Sequence, residues 1–548
     1  MPKYFNIAHE CVDYWHRRGF GKKLAIVEHS SQVGYSFADL SMMSTNLASN
    51  LKQLSHDDLC EIQVGDRMAV LLSQSVNTAV AHLAIFKLGC ISVPLFTLFG
   101  ADALEFRLRD SGAMTLVTDL ESLHSVLPLC GQLPMLRYIL VVAEGQTLPQ
   151  SEQVAILRFE DFLQEARPVD VKTQADDPAM IIYTSGTTGN PKGCLHAHRV
   201  LLGHLPGIEL PHNRFVQTCN SVVFWTPADW AWIGGLFDVL FPSLYYGVTT
   251  VSHRMSKFDV HESLEVMRVN KVTNAFLPPT AIKMMKSVAE HHGSIHPLHS
   301  IGSGGETLGS SLVGFGLSAF GTRINEFYGQ TECNLLVSNS DLFPAKDGSM
   351  GRPVCGKVVK ILDEITGIEL GPNEAGVIAV ESPADGGDPA QFLGYWNLPE
   401  KTEEKFLVSK NRRYMVTGDL GKTCSEGYLW FIGRDDDIIT TGGYRCGPSE
   451  IEEACVKHPD IALAAAIGKP CPMRGELIKV FLVLKEPDLL ANPIRCEEIS
   501  KEVQELVKTL VGKHEYPREV EFVKKLHMTI TGKVQRKQHR LDEEKSIT

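Results

Sequence analysis

The spacing of apolar residues in the first third of the chain predicts alternating strands and helices. Residues 67–72, 90–93 and 114–117 are short apolar runs that are typical of buried strands. Between them, residues 76–88 and 101–110 have helical spacing, and a glycine follows closely after each. This order is typical of a parallel sheet with right-handed crossovers.

The pattern changes near Lys357. Residues 358–362 and 376–380 are short β-rich runs separated by glycine and proline, which predicts a small β-barrel or an antiparallel subdomain. Further along, strands are predicted at 461–467 and 477–484. A helix is predicted next, because four apolar residues lie on one helical face: Ile499, Val503, Leu506 and Leu510.

These patterns define the predicted fold. A chain of 548 residues exceeds the size at which a single hydrophobic core stops growing, so at least two domains are expected. We predict an α/β fold whose large N-terminal domain, residues 1–435, combines parallel-sheet α/β subdomains with a small β-barrel at about 357–433. A small, mobile α+β C-terminal domain is predicted over residues 436–548.

Composition excludes several classes of protein. A hydrophobic content of 44% and a charged content of 22% are ordinary for a globular protein, and a net charge of −12 argues against a general nucleic-acid binder. The thirteen cysteines form no Cys-x-x-Cys pair and no zinc-type cluster, which is typical of reduced thiols. Without a secretory, membrane-spanning or peroxisomal pattern, we expect a cytoplasmic location.

One loop carries the strongest chemical signal. Residues 183–193 combine small hydroxyl residues, three glycines and Lys192, between a predicted strand at 180–182 and a predicted helix at 195–205. In such a context, backbone N–H groups, hydroxyls and a lysine can close around phosphate oxygens. The spacing differs from the Walker pattern, and a solvated turn is the alternative interpretation.

The same loop resembles the signature loop of the adenylate-forming superfamily, which comprises acyl-CoA synthetases, adenylation domains of peptide synthetases and luciferases. The resemblance implies that the loop binds the phosphates of ATP and that Thr184 takes part in catalysis. The implied phosphate-binding residues are Thr184, Ser185, Gly186, Thr187, Thr188, Gly189 and Lys192.

A second motif lies at residues 325–332. It could be the start of a helix with a carboxylate on a solvated face, or a site where a ring stacks on a base and Glu332 gives an oxygen ligand to Mg²⁺. The resemblance favours the site, and it implies adenine stacking for Tyr328 and metal or phosphate contact for Thr331 and Glu332. The other residues implied to bind the nucleotide here are Glu326, Gly329 and Gln330.

Residues 302–308 follow a predicted strand and resemble the loop that contacts adenine in this superfamily. The resemblance assigns Gly305, Glu306 and Thr307 to nucleotide binding, while an ordinary strand-to-helix turn is the alternative. Residues 314–319 match the dinucleotide fingerprint formally, but no strand precedes them. We therefore discard that match.

An acidic residue at a predicted strand end marks a candidate ribose site. A carboxylate there can accept both ribose hydroxyls, and Asp419 closes the run at 414–419. The resemblance implies this role for Asp419, with Arg434 as its companion and Asp436 as the hinge about which the C-terminal domain turns. Residues 435–437 could equally be a solvated acidic turn.

Two further motifs lie in the predicted C-terminal domain. Residues 441–452 resemble the CoA loop, which implies pantetheine contact for Gly442, Gly443 and Tyr444 and phosphate contact for Arg445. Cys446 is interpreted as a small buried hydrophobe. Residues 529–537 resemble the mobile loop with its catalytic lysine, Lys533, although the preceding residues 526–528 depart from the usual Leu-Pro-Lys.

Together, the motifs resemble those of short- and medium-chain acyl-CoA synthetases. The resemblance implies that a carboxylate attacks the α-phosphate of ATP and expels pyrophosphate, and that the CoA thiol then attacks the acyl-adenylate. ATP, Mg²⁺ and CoA are the implied cofactor and co-substrates. An aromatic-acid CoA ligase, or an adenylating enzyme with another acyl acceptor, stays open. A non-enzymatic nucleotide sensor would be expected to lack Lys533 or Glu332.

One position, Gly329, bears on the size of the acyl group of the substrate. Acetate-specific relatives carry a tryptophan where this chain has Gly329, which implies room for a longer acyl group. Alternatively, Gly329 serves only the backbone of a tight turn. The predicted opposite wall of the acyl pocket comprises Trp225, Trp230, Trp232 and Gly235. The sequence leaves open the acid, acylation of Lys533 and the oligomeric state, including a homodimer.

Overall fold

The structure is a computed structural model. It describes residues 1–54, 61–184, 190–219, 221–255, 257–289, 296–306, 308, 310–383, 387–434, 437–441, 444–471, 475–511, 516–528 and 534–547. These residues form two compact units. The first comprises residues 1–345, 354–356 and 383–404, and the second comprises residues 346–353, 357–382 and 405–548.

The strands of the described chain are numbered in sequence order. They are β1 Leu24–Glu28, β2 Val33–Ser36, β3 Arg67–Leu71, β4 Ile91–Pro94, β5 Thr115–Asp119, β6 Tyr138–Val142, β7 Ala155–Arg158, β8 Pro178–Thr184, β9 Lys192–Ala197, β10 Val223–Trp225, β11 Thr249–Ser252, β12 Asn274–Phe276, β13 Ser300–Ser303, β14 Ile324–Gln330, β15 Asn334–Ser338, β16 Arg352–Pro353, β17 Val359–Leu362, β18 Gly376–Glu381, β19 Gly394–Tyr395, β20 Phe406–Ser409, β21 Arg412–Thr423, β22 Leu429–Arg434, β23 Ile439–Thr441, β24 Tyr444–Cys446, β25 Ile461–Cys471, β26 Gly475–Leu484 and β27 Glu519–Phe522.

The helices are numbered in the same way. They are α1 Phe37–Lys52, α2 Val76–Lys87, α3 Ala101–Ser111, α4 Leu120–Val126, α5 Val200–Glu209, α6 Phe215–Thr218, α7 Ile233–Gly235, α8 Phe241–Tyr245, α9 Val260–Val269, α10 Pro279–Ala289, α11 Ser310–Phe320, α12 Pro399–Glu403, α13 Pro448–Val456, α14 Pro493–Leu510 and α15 Arg536–Ile547. Within the described ranges, no helix has both the length and the apolar character needed to cross a bilayer.

The first unit contains the parallel sheet that the opening pattern predicts. Its strand order is β19-β9-β8-β4-β3-β5-β6-β7, and the pairs from β8 to β7 are parallel. Helix α2 connects β3 to β4, and α3 connects β4 to β5, as the strand–helix alternation requires. β9 and β19 extend the sheet beyond β8 as antiparallel strands.

A second sheet of the first unit contains strands in the order β15-β14-β13-β12-β10-β11-β1-β2. The inner pairs are parallel, whereas β15 and β2 are antiparallel to their neighbours. One hydrophobic core joins the two sheets, since it contains Ile26 of β1, Val70 of β3, Phe37 of α1 and Phe86 of α2. Full burial of such a side chain contributes about 1.5–3 kcal/mol.

The structure corrects one element beside the signature loop. The sequence pattern predicts a helix at 195–205, but residues 192–197 form β9 and helix α5 begins only at Val200. A short apolar run can form either element, and here the ladder with β8 stabilises a strand in which Lys192 lies opposite Thr184. The loop therefore joins the two strands of a hairpin instead of a strand and a helix.

The second unit contains two smaller sheets. The first has the order β17-β18-β21-β20, with β22 added on β21, and all its pairs are antiparallel. In the described residues this sheet confirms the antiparallel subdomain, one of the two predicted alternatives, and its strand order shows no closure into a barrel. The second has the order β24-β23-β26-β25, with β27 parallel to β26. Helices α13 and α14 contribute Ile451, Ile499, Val503 and Val507 to its core.

These units do not coincide with the two predicted domains. The β-rich segment, predicted to belong to the N-terminal domain 1–435, groups in the second unit with the residues after 405. The α/β class is confirmed, with parallel sheets in the first unit and a small α+β region near the C-terminus. The division at Asp436 and the mobility of the C-terminal domain stay predictions, because Asp436 lies outside the described residues.

A buried ion-pair network links three segments of the second unit. Arg536, the first residue of α15, donates to the two carboxylate oxygens of Glu452 at 2.6 and 2.9 Å and to Asp437 at 3.1 Å. Arg540 donates to the other oxygen of Asp437 at 2.8 Å. Burial disfavours the charged guanidinium, but the two carboxylates raise the pKa of Arg536. The network therefore ties α15 to α13 and to the segment before β23.

We predict that Arg536→Leu destabilises this region by about 3 kcal/mol, because Glu452 loses its ion-pair partner and Asp437 keeps only Arg540. Urea unfolding combined with hydrogen exchange of α13 and α15 measures the loss. The control is Arg268→Leu, which removes an arginine that is 68% exposed and pairs with Glu265 on the surface. A similar shift of the unfolding midpoint in both variants would contradict the prediction.

Candidate active site

The hairpin of β8 and β9 positions the ends of the signature loop. Thr184 and Lys192 lie opposite each other, and the Thr184 hydroxyl donates to the Lys192 carbonyl at 3.4 Å. Next to Thr184, the Tyr183 hydroxyl donates to Asp110 Oδ2 at 2.6 Å, and burial together with this bond raises the pKa of Tyr183. The Arg107 guanidinium lies 5.7 Å from the Tyr183 ring centroid. The base of the loop is therefore held by side chains of α3.

The motif at residues 325–332 is not a helix start with a solvated carboxylate. Residues up to Gln330 form β14, Tyr328 and Gln330 are half-buried there, and Thr331 is half-buried in the turn that follows. Glu332 is only 8% exposed. Burying a carboxylate without partners costs free energy, so the groups that contact Glu332 indicate its role.

Glu332 and Lys192 contact the same tyrosine. Tyr395 donates its hydroxyl to Glu332 Oε1 at 2.5 Å, and Lys192 Nζ lies 4.7 Å from the centroid of the Tyr395 ring. The structure thus brings together two predicted site residues that are 140 positions apart. Sequence reasoning missed Tyr395, because it reaches the site only through the pairing of β19 with β9, which no local pattern indicates.

A segment of residues 388–396, here called the strap, carries Tyr395. Its backbone bonds to the turn that holds Glu332, since Phe392 N donates to the Glu332 carbonyl at 2.8 Å. It also bonds to β9, through Leu393 N to the Leu195 carbonyl and Trp396 N to the Gly193 carbonyl, both at 2.7 Å. Gly203 of α5 lies against it so closely that a Cβ there would be 2.4 Å from Ala390 N.

Gly329 has a backbone role. It lies at an irregularity in the pairing of β14 with β15, and a Cβ on it would be 2.1 Å from the carbonyl oxygen of Asn334. Any larger residue therefore requires backbone movement, whatever space lies beyond. The alternative interpretation of Gly329, as a residue required by a tight backbone, is supported. A substitution there does not report cleanly on the size of an acyl pocket.

The loop at residues 302–308 is packed against β14. A Cβ on Gly304 would be 2.4 Å from the Phe327 ring, and Gly305 adopts a φ of +94° that favours glycine. Glu306 accepts a hydrogen bond from the Thr280 hydroxyl at 3.1 Å. Glu326 Oε1 accepts from Leu308 N at 3.2 Å, so this carboxylate supports the loop from within the protein.

The predicted tryptophan wall is not assembled as one surface. Trp225 and Trp230 are fully buried in two different hydrophobic clusters, so neither has surface that a substrate could contact in this structure. Trp232 is half-buried, and its ring lies 5.7 Å from that of Phe276, which in turn lies 5.4 Å from Phe327. Phe276 and Phe327 are buried, so Trp232 is the one partly exposed ring of these three.

Gly235 and Asp229 form a tight turn beside Trp232. A Cβ on Gly235 would be 2.2 Å from the Asp229 carbonyl oxygen, and Asp229 Oδ1 accepts from Ala231 N at 2.7 Å. Burial raises the pKa of Asp229 to about 6, against a smaller opposing effect of the Ala231 bond. The sequence analysis missed this carboxyl, which titrates close to neutral pH.

The predicted ribose residues lie in the second unit. Asp419 of β21 and Arg434 of β22 are directly opposite each other in the antiparallel ladder, where side chains on one face can interact. Asp419 is 5% exposed, and its backbone N–H bonds to the Thr417 hydroxyl at 3.1 Å. The structure therefore brings these two predicted residues together.

The described part of the predicted CoA motif comprises the end of β23, strand β24 and the start of helix α13. Tyr444 and Arg445 of β24 lie opposite Thr441 and Thr440 of β23, and Cys446 is buried, as predicted. Several predicted site residues lie outside the described residues: Ser185, Gly186, Thr187, Thr188, Gly189, Thr307, Asp436, Gly442, Gly443 and Lys533. On either side of Lys533, Met528 and Val534 form an antiparallel bridge.

The oxygen groups near Glu332 fit a magnesium ion. Mg²⁺ prefers oxygen ligands and is commonly held by one or two carboxylates together with substrate phosphates and water. Glu332 supplies a carboxylate, and Thr331 supplies a neighbouring hydroxyl. In the described ranges there is no cluster of three or more histidine, cysteine or acidic side chains suited to a metal.

Comparison with known proteins gives the class of the chain. A family model described as AMP-binding enzyme matches residues 14–396, and a model described as AMP-binding enzyme C-terminal domain matches residues 450–533. The first model alone spans more than half of the chain. The chain belongs to the AMP-binding enzyme family, which confirms the resemblance read from the motifs.

Similar proteins within this family are acyl-coenzyme A synthetases. The mitochondrial acyl-coenzyme A synthetase ACSM4 of Mus musculus is 31% identical over 547 residues, covering 98% of this chain and 90% of that protein. The acetyl-coenzyme A synthetase of Bacillus subtilis strain 168 is 32% identical, covering 97% and 89%. A crystal structure of the anthranilate CoA ligase AuaEII with anthranoyl-AMP has a TM-score of 0.83 at 26% identity, covering 100% of this chain and 99% of that one.

We predict that Asp229 makes stability depend on pH. Its folded pKa of about 6 exceeds the ordinary value of 3.8, so the folded state retains the proton better and stability falls as pH rises from about 4 to 6. Asp229→Asn can keep the turn and has no charge to bury. The variant should be more stable than the wild type at pH 7, by up to about 2 kcal/mol.

Thermal unfolding of both proteins between pH 4.5 and 7.5 measures this difference, and the gap should close toward the acidic end. Asp238→Asn is an unsuitable control because Asp238 pairs with His204, so exposed Asp161→Asn serves instead. A gap that is constant over the pH range would contradict the prediction.

Proposed function

We propose that this chain is an acyl-CoA synthetase. A carboxylate oxygen attacks the α-phosphate of ATP, the bond to the β-phosphate breaks and pyrophosphate leaves. The CoA thiol then attacks the carbonyl carbon of the acyl-adenylate, and AMP leaves. The observation that carries the proposal is the placement of Lys192 and Glu332 on one tyrosine, in a chain that matches both AMP-binding family models.

The proposed roles of the first unit rest on the motifs, and the geometry supports several of them. The hairpin loop and Lys192 bind phosphates, because β8 and β9 hold the ends of that loop together. Tyr328 stacks on adenine beside the loop of Gly305, Glu306 and Thr307. Thr331 and Glu332 hold Mg²⁺, which supplies charge neutralisation to the phosphates when bound. Glu326 supports the 302–308 loop through its bond to Leu308.

Residues of the second unit are proposed to bind ribose, to bind CoA and to stabilise negative charge during adenylation. Asp419 accepts the ribose hydroxyls, with Arg434 opposite it on the neighbouring strand. Lys533 stabilises negative charge during adenylation, since preorganised donors are the main catalytic contribution in such reactions. The other proposed assignments are Gly442, Gly443 and Tyr444 for pantetheine, Arg445 for phosphate and Asp436 for the hinge.

The acid is proposed to be a short- or medium-chain aliphatic carboxylate. The half-buried Trp232, whose ring packs against Phe276, supports burial of an alkyl group. The same ring supports the second candidate, an aromatic acid, and the structurally similar AuaEII is an anthranilate CoA ligase. An enzyme that passes the acyl group to an acceptor other than CoA is the third candidate.

A cytoplasmic location is also proposed, on the composition alone. The name of the similar ACSM4 protein of Mus musculus places that protein in mitochondria. Fractionation of cells that express the natural protein distinguishes the two compartments. The oligomeric state, including a homodimer, is measured by light scattering of the purified chain.

We predict that Lys533→Ala slows adenylation by about 10²-fold or more and leaves thioester formation from preformed acyl-adenylate largely intact, because the lost donor is worth about 3 kcal/mol in the first step only. Pyrophosphate release and acyl-CoA formation are measured separately. The control is Lys537→Ala, which removes an exposed lysine nearby. Equal loss in both steps would rule out the assignment of Lys533.

We also predict that KM falls from acetate to butyrate by roughly fourfold per methylene, because each buried methylene contributes about 0.8 kcal/mol. AMP release is measured for aliphatic acids, benzoate and anthranilate, with and without CoA. Preference for acetate would contradict the aliphatic proposal, and preference for benzoate would favour the aromatic one. AMP release that does not depend on CoA would favour another acceptor.

A further inference from the structure

The strap fixes Tyr395 between two charged residues. Tyr395 is 5% exposed, and its backbone N–H bonds to the Thr402 hydroxyl at 2.9 Å. The strap bonds on one side to the turn that holds Glu332 and on the other to β9, which begins at Lys192. The backbone of Tyr395 is therefore fixed in position relative to Lys192 and Glu332.

The two ends of this side chain bind different partners. The hydroxyl donates to Glu332 Oε1 at 2.5 Å, and the ring face receives Lys192 Nζ at 4.7 Å from its centroid. Lys192 and Glu332, both within the described chain, form no ion pair with each other. Opposite charges in a partly buried setting attract strongly, so the contact of Lys192 with the ring competes with pairing to Glu332.

We propose that Tyr395 is a positioning residue that orients the Glu332 carboxylate and keeps Lys192 from neutralising it. The inference rests on the proposed function, in which Glu332 meets Mg²⁺ and Lys192 meets phosphate. One carboxylate oxygen is occupied by the hydroxyl, which leaves the other for the metal. The ring holds the ammonium by a cation–π contact that a phosphate can replace.

The hydroxyl is suited to this role because of its geometry: it donates to one carboxylate oxygen of Glu332 from a side chain that is almost fully buried. A hydrogen bond to a charged group is among the stronger ones in proteins, so its loss should be measurable.

Two substitutions separate the two contacts. Tyr395→Phe removes the hydroxyl and keeps the ring, whereas Tyr395→Leu removes both. Binding is measured without turnover, using Mn²⁺ as the probe in electron paramagnetic resonance with α,β-methylene-ATP, whose α–β bridge cannot be cleaved. Calorimetry with α,β-methylene-ATP in EDTA reports nucleotide binding without metal.

We expect Tyr395→Phe to weaken Mn²⁺ binding by about tenfold and to leave metal-free nucleotide binding within twofold. Tyr395→Leu should weaken both. The control is Tyr246→Phe, which removes the hydroxyl of a half-buried tyrosine that also donates to a glutamate, Glu209, outside the predicted site. It should change thermal stability without changing either binding constant.

Glu332→Gln separates this inference from the function on which it rests. If Glu332→Gln binds Mn²⁺ as tightly as the wild type, the metal role of Glu332 fails and the inference fails with it. If Glu332→Gln weakens Mn²⁺ binding but Tyr395→Phe does not, the inference alone is overturned. Unchanged metal-free nucleotide binding in Tyr395→Leu would overturn the proposed separation of Lys192.

Discussion

The backbone ladder of β9 is the constraint on which the candidate site depends. This strand pairs with β8 on one side, which fixes Thr184 opposite Lys192, and with β19 on the other, which fixes Tyr395. Main-chain hydrogen bonds set both registers. The pairing alone therefore brings Thr184, Lys192 and Tyr395 to the site. A shift of one residue in either pairing would turn these side chains to the opposite face of the sheet.

The strands and helices of the first unit were readable from periodicity because tertiary packing agrees with local preference there. The observed helices Val76–Lys87 and Ala101–Ser111 nearly coincide with the predicted ones. The helix predicted at 195–205 begins too early, because residues 195–197 belong to β9. The partner strand stabilises β9 through backbone bonds, which a local sequence pattern does not reveal. The helix near the C-terminus buries Val507 in place of the predicted Leu506 and Leu510, since the buried face follows steps of four residues.

The site residues that can be predicted from the sequence are those that lie within recognisable sequence motifs. Glu332, Asp419 and Arg434 were found in this way, and the structure places Asp419 opposite Arg434. Tyr395, Thr280 and Asp229 act through partners 63, 26 and 2 positions away, and nothing in their local sequence distinguishes them from ordinary buried residues. The reverse error occurred with Trp225 and Trp230, whose size suggested a pocket wall but which fill two hydrophobic cores.

The contact of Gly203 with the strap has a mechanical consequence. A Cβ at this position would be 2.4 Å from Ala390 N, so helix α5 meets the strap through main-chain atoms, without an intervening side chain. Side chains absorb strain by changing rotamer, whereas a main-chain contact has no such compliance. A displacement of α5 toward the strap therefore requires the strap backbone at Pro389 and Ala390 to move as well. The position of the segment that carries Tyr395 thus depends on the position of α5.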